Sequence, residues 1–179
     1  KRFESEVTGV EDGAYGKIAR AVYRAEQGRV YPDATFTLRL AYGKVSGYVD
    51  PAGAKIRAWT TFGEMYDKAA SAKNADPYQL PDGWLSRKSG VKLDTPINFV
   101  TTADTIGGNS GSPLVNARGE LVGLNFDRNA FGLVRNFVYD EQRARNIAVD
   151  SRGMLHALRV LYGAGALADE LTGGKAMAR

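Results

Sequence analysis

One run of the chain, Gly107-Gly108-Asn109-Ser110-Gly111-Ser112-Pro113-Leu114-Val115, carries its clearest chemistry. Glycines on both sides of Ser110 allow a tight turn that presents the hydroxyl on an exposed corner. Such a corner can also aim successive backbone N–H groups into one small volume. Donors from Gly108 and Ser110 would then stabilise the oxyanion that forms when an acyl carbonyl is attacked, each worth about 2–4 kcal/mol of transition-state stabilisation. The pattern points to a nucleophilic serine. A plain turn between strands and a phosphate cradle are the competing readings. No lysine follows the glycines and a strand rather than a helix comes next, which speaks against the cradle. The continuation speaks against the plain turn: Pro113 to Asn116 reads as a strand, Ala117-Arg118-Gly119 as a hairpin turn and Glu120 to Phe126 as the returning strand. In a chymotrypsin-type barrel, such a hairpin leads from the nucleophile to the wall of the primary specificity pocket. Asp127 and Arg128 fall where that wall would be.

A serine nucleophile needs a base, and the chain has one histidine. His156 follows the serine and sits in an apolar-patterned helical segment, which suits a packing or solvent role. No lysine near the motif offers a Ser–Lys pair. With no base able to reach Ser110, the chain alone is expected to have little or no peptidase activity.

The elements that would position this run are short strands. Phe36, Leu38 and Leu40 alternate with polar residues, the period of a half-buried strand. Val45 to Val49 reads as a second strand and Lys55 to Thr60 as a third, joined by the turn Asp50-Pro51-Ala52-Gly53. Thr61-Phe62-Gly63-Glu64 has capping-box spacing for a helix through Ala72. Asn74 to Lys92, rich in Pro, Gly, Asp and Ser, reads as a long loop. Strands are expected again at Ile97 to Thr101 and at Asn146 to Val149. Asp150 or Ser151 then caps a terminal helix with Met154, Leu155, Leu158 and Leu161 on one side. Ahead of all these, Ile18, Val22 and Ala25 mark a helix that Gly28 is placed to end. The tail beyond Leu171 reads as frayed. Many short strands and a closing helix predict a mainly β fold, an antiparallel barrel with flanking helices.

Bulk composition narrows the classes. At 179 residues and a formal charge of +4, the chain has no Lys/Arg cluster interleaved with aromatics, so no nucleic-acid surface is expected. The absence of cysteine excludes disulfides and thiolate metal sites. No apolar run is long enough to span a bilayer. The start at Lys1, with no signal-peptide pattern after it, reads as processed or truncated.

Ile106 to Asn129, IGGNSGSPLVNARGELVGLNFDRN, resembles the nucleophile region of family-46 serine peptidases, the bacterial dipeptidyl-peptidases of the 7 and 11 types. The likeness extends to Tyr31–Leu40 and to Arg145–Asp150. It implies the second of two β-barrels, separated from the first by an inserted helical domain. Residues 1–30 would be the tail of that insertion, 31–150 the barrel carrying the nucleophile, and 151–179 the closing helix and tail. The histidine and aspartate that complete the triad would lie in the first barrel. It implies that Asp127 holds the free α-amine of the peptide and that Arg128 selects Asp or Glu before the scissile bond, as in the Asp/Glu-specific branch. A guanidinium offers a carboxylate a planar fork and penalises apolar side chains, so the chemistry agrees. An exposed charge pair at a strand end is the plainer reading of those two residues. The resemblance further implies peptide substrates with a free N-terminus, a periplasmic or cell-surface location, a homodimer, and no metal or cofactor. A glutamate-preferring endopeptidase of the same fold and a non-catalytic peptide-binding module are the alternatives.

Overall fold

The computed structural model describes residues 3–27, 40–136 and 138–173. The chain divides into two compact units, 1–40 and 41–179. In the first, a π-helical turn (Glu4–Thr8) runs into α1 (Gly9–Ala25). The expected face of this helix, with Ile18 and Val22, is exposed. Gln27 closes it with a positive φ of 52°. Gly28 and the strand expected at Phe36–Leu40 lie outside the described residues, except for Leu40 itself.

The second unit is built on antiparallel pairing. β3 (Trp59–Thr61), β4 (Pro96–Thr101), β5 (Pro113–Val115), β6 (Leu121–Arg128) and β7 (Asn146–Asp150) form a sheet in the order β3-β4-β7-β6-β5. A two-stranded ribbon, β1 (Tyr48–Val49) with β2 (Lys55–Ile56), precedes it. Val45 makes a single bridge to Thr101, so the stretch from Val45 to Thr61 borders β4 at both of its ends. The third expected strand is therefore two: Lys55–Ile56 pairs with β1 and Trp59–Thr61 with β4. The turn between β1 and β2 forms as its residues dictate. Asp50 Oδ1 accepts from the N–H groups of Ala52 (2.9 Å) and Ala54 (2.8 Å), and Gly53 takes a φ of +85°.

Helices cover one side. The capping box forms as expected: Thr61 Oγ1 accepts from Glu64 N–H, and Glu64 Oε2 accepts from Thr61 N–H, opening α2 (Phe62–Ser71). The expected loop 74–92 instead contains α3 (Asp82–Ser86) and a 3-10 turn (Lys88–Gly90). Pro81 ahead of Asp82 presets the first turn, and Trp84 rewards it by packing at 6.2 Å, centroid to centroid, from Phe62. Asp150, whose carboxylate accepts from Arg152 N–H, caps α4 (Ser151–Val160); Gly163, φ +64°, separates it from α5 (Gly165–Leu171). Of the apolar residues expected on one side of the terminal helix, Leu161 is buried and Met154, Leu155 and Leu158 are half-buried. The apolar core is Phe62, Tyr66, Val91 and Leu161, with Met65, Leu80, Trp84, Ile97, Ala157 and Val160 against it. Burial raises the Tyr66 pKa, and its hydroxyl donates to Trp84 O at 2.9 Å.

Candidate active site

The nucleophile turn is pinned by hydrogen bonds within itself and to β6. Ile106 N–H donates to Asn109 Oδ1 (2.8 Å), and Ser112 N–H to Asn109 O (3.0 Å). Gly111 N–H donates to Asn125 O (2.8 Å), and Asn125 N–H returns to Ser112 O (2.9 Å). Gly108 and Gly111 take φ of +96° and +84°, a region that L side chains rarely enter, so the glycines flanking Ser110 are what the turn requires.

Behind the turn stands a buried polar relay. Asn125 Nδ2 donates to Asn109 O (3.2 Å), and its Oδ1 accepts from Asn146 Nδ2 (2.9 Å). Asn146 Oδ1 accepts from the Thr101 N–H (3.1 Å) and hydroxyl. Two buried arginines gather backbone carbonyls nearby, and Arg135 reaches those of the approach to the turn. Arg135 donates to the carbonyls of Thr102 (3.1 Å), Ala103, Asp140 and Ala144 (2.8 Å). Arg145 donates to those of Ser46 (2.8 Å), Gly47 (2.7 Å), Glu141 and Ala144. Burial, with the Arg135 charge next in importance, lowers the Arg145 pKa from its ordinary value. None of these residues was singled out from the sequence. Asn125 left a trace there, as an amide between Leu124 and Phe126 in an otherwise apolar strand.

Ser110 is exposed, and its hydroxyl makes one long contact, 3.4 Å, to Phe126 O. Phe126 sits in a β-bulge: Asn125 pairs with Ala148 and Asp127 with Ile147. Bulges bend a strand and re-aim its side chains. The result is a cavity of about 120 Å³ lined by Thr105, Ile106, Gly107 and Ser110 from the turn and by Asn125, Phe126, Asp127 and Arg128 from β6. Against the roughly 300–1,000 Å³ of a whole small-ligand pocket, that is space for about one side chain. Three of the four residues expected at the site thus share one cavity. Gly108 adjoins it without lining it. Among the described residues, the N–H groups of Gly108 and Ser110 donate to no protein acceptor. Asp127 is exposed, and its Oδ1 accepts from Arg128 N–H (2.8 Å); Arg128 is half-buried. β6 runs two residues past the expected Phe126, so both charges belong to the strand itself.

His156 lies elsewhere. Its Nε2 accepts from Lys92 N–H (2.9 Å) and its ring meets Phe62 edge-on at 5.7 Å, the packing role expected of it. It lines a larger hollow, about 480 Å³, with Lys92, Asp94, Arg152 and Arg159, which contains none of the expected site residues. No histidine lines the Ser110 cavity. Asp104, just upstream of the turn, has one carboxylate oxygen closed off from solvent with no donor among the described residues.

Comparison with known proteins places this geometry. The family model described as Peptidase S46 matches residues 1–173. The Asp/Glu-specific dipeptidyl-peptidase of Capnocytophaga gingivalis is 38% identical over 149 residues, covering 80% of this chain and 21% of that protein. Dipeptidyl-peptidase 7 of Phocaeicola vulgatus is likewise 38% identical, over 79% of this chain and 20% of its own length. Among solved structures, Porphyromonas endodontalis DPP11 in complex with the dipeptide Arg-Asp superposes with a TM-score of 0.71 at 32% identity, covering 85% of this chain and 23% of that one. The chain therefore spans about a fifth of the length of the curated relatives it matches.

Proposed function

Since the chain belongs to the Peptidase S46 family, we propose that it is the nucleophile-bearing portion of a serine dipeptidyl-peptidase that releases N-terminal dipeptides ending in Asp or Glu. The observation that carries this reading is the single cavity lined by Ser110, Asp127 and Arg128. Its volume suits one side chain, and its charged lining suits an acidic one. The Arg128 guanidinium pairs with the carboxylate of the residue before the scissile bond. Asp127 meets the α-ammonium of the residue before that, which sets the length of the released piece at two.

The chemistry then follows. Ser110 Oγ forms a bond to the scissile carbonyl carbon while a base takes its proton. The carbonyl oxygen, now anionic, is met by the unspent N–H groups of Gly108 and Ser110. The C–N bond breaks, the leaving amine takes the proton, and water hydrolyses the acyl-enzyme with the serine as leaving group. The base and the aspartate that orients it come from the remaining four-fifths of the enzyme. In the same scheme, α1 is the tail of a helical insertion. The enzyme works in the periplasm or at the cell surface; no helix of the described residues is long and apolar enough to cross a membrane.

Both acidic-specific and type 7 relatives match this chain at similar identity, so Arg128 decides between them. In the complete peptidase carrying this segment, Arg128→Gly is expected to move preference from acidic to apolar residues before the cut, lowering kcat/KM for acidic substrates by about 100-fold or more. Retained acidic preference removes Arg128 from selection. Peptides with blocked amines test the Asp127 role: cleavage equal to that of free-amine peptides would favour an endopeptidase.

A further inference from the structure

Directly after Arg128 the chain turns into the 3-10 helix Ala130–Asn136, and Gly132 in that turn is buried against the Arg128 side chain. A Cβ placed on Gly132 would stand 3.1 Å from Arg128 Cβ, 3.1 Å from its Cδ and 3.3 Å from its Cγ. These are tighter than an ordinary van der Waals contact of about 3.5–4.0 Å. The three nearest atoms to that Cβ all belong to the aliphatic stem of one residue.

The turn has little freedom to retreat. Gly132 N–H donates to both Asn129 O (2.8 Å) and Asn129 Oδ1 (3.1 Å). Asn129 is itself tied to the start of β7: its N–H donates to Arg145 O (3.0 Å), its Nδ2 to Arg143 O (2.8 Å), and its Oδ1 accepts from Arg145 N–H (2.9 Å). With the backbone held on two sides, any added atom at position 132 must be accommodated by the stem. Arg128 also lines the Ser110 cavity, so the stem that Gly132 meets belongs to a residue of the site.

We propose that Gly132 is a positioning residue for acidic specificity: its missing side chain is the slot that seats the Arg128 stem and sets how far the guanidinium reaches into the cavity. This deepens the reading of Arg128 given above and rests on it. A larger residue at 132 pushes the stem toward the substrate and shortens the space before the guanidinium. Glutamate, one methylene longer than aspartate, then loses more.

The test is Gly132→Ala in the complete peptidase. The φ of Gly132 lies outside the left-handed region, so alanine adds a methyl group without backbone strain. The expected result is a fall of about tenfold in kcat/KM for glutamyl dipeptide substrates, carried mainly by KM, and of about threefold for aspartyl ones. Turnover of substrates with apolar residues before the cut stays within about twofold. In an Arg128→Gly background the same substitution has no effect, because there is no stem to move. Equal losses on acidic and apolar substrates, unchanged acidic constants, or an effect that persists without Arg128 would each overturn the proposal. If Arg128→Gly itself keeps acidic preference, the reading of Arg128 falls, and this proposal with it. If Gly132→Ala proves too unstable for kinetics, the double variant decides: recovery of Tm on adding Arg128→Gly supports the contact, and no recovery overturns it.

Discussion

Beside α2 and α4 the fold is closed by apolar side chains, Phe62, Tyr66, Val91 and Leu161, which need only fit one another. At the nucleophile end small alanines are buried too, but the large buried side chains are polar: Thr101, Thr102, Asn125, Arg135, Arg145 and Asn146. The difference follows from what each end must hold. Helices and strands satisfy their own backbone, so apolar faces can press together. The approach to Ser110, residues 102–106, is irregular, and its carbonyls have no ladder to join. A guanidinium fork reaches several carbonyls at once: Arg135 takes those of Thr102 and Ala103, and Arg145 those of Ser46 and Gly47, at the cost of burying two charges. Apolar packing is tolerant of shape, whereas this network is directional. The nucleophile end is therefore rigid for a reason that differs from the helical end, and the two should fail differently.

The largest effect should come from Arg135→Met, which keeps the stem and removes the fork. The carbonyls of Ala103 and Asp140 lose their donor, while that of Thr102 keeps the Tyr139 hydroxyl and that of Ala144 keeps Arg145. At about 1–3 kcal/mol for each buried group left unsatisfied, partly relieved by water, the expected loss is about 4 kcal/mol in urea unfolding. A loss below about 1 kcal/mol would show that the nucleophile end is not held this way. A sharper contrast sets Asn146→Leu against Phe62→Leu. The first is nearly isosteric but strips partners from the Thr101 N–H and hydroxyl and from Asn125, and should cost about 3 kcal/mol. The second changes shape within an apolar core and should cost about 1.5 kcal/mol. The reverse order would erase the distinction between the ends.

The same contrast explains what could be read from residue order. Thr61–Glu64 spacing gave the start of α2, Asp150 the start of α4, and the turn at Ala117-Arg118-Gly119 the hairpin of β5 and β6, because each signal is local. The Ser110 corner was legible because the flanking glycines and the hairpin that follows specify one tight turn and one returning strand, whereas the roles of Asp127 and Arg128 came only from the family resemblance. Arg135 and Arg145 were not legible, since nothing in a solitary arginine says which carbonyls it will meet. Loop 74–92 was misread for a related reason. Its Pro, Gly and Asp are turn formers, but Trp84 gains more by packing on Phe62 than the turn formers lose by joining a short helix. The Phe126 bulge was equally silent: register along β6 depends on β7, which lies beyond the intervening 3-10 helix.

The smallest effect tests the helical end where it is polar. Burial pushes the Glu64 carboxyl up, but its hydrogen bond from Thr61 N–H and its pairing with Arg57 together hold the pKa below the ordinary 4.5. A carboxylate whose folded pKa is depressed contributes stability that is complete above its unfolded value and is lost as pH falls through the folded one. The group is largely exposed, so screening keeps the contribution small. Glu64→Gln should cost about 0.5 kcal/mol at neutral pH. The gap between the two proteins should close as pH falls below 4.5. Thr61→Ala removes the hydroxyl that caps Glu64 N–H and should cost about 1 kcal/mol, most of which persists in acid because the backbone donor does not titrate, while the share from the hydroxyl's bond to Glu64 Oε2 fades. Thermal unfolding across that range separates the two halves of the box. If the Glu64→Gln gap were constant with pH, the charge would contribute nothing, and the start of α2 would be held by the Thr61 cap and by the burial of Phe62 and Tyr66.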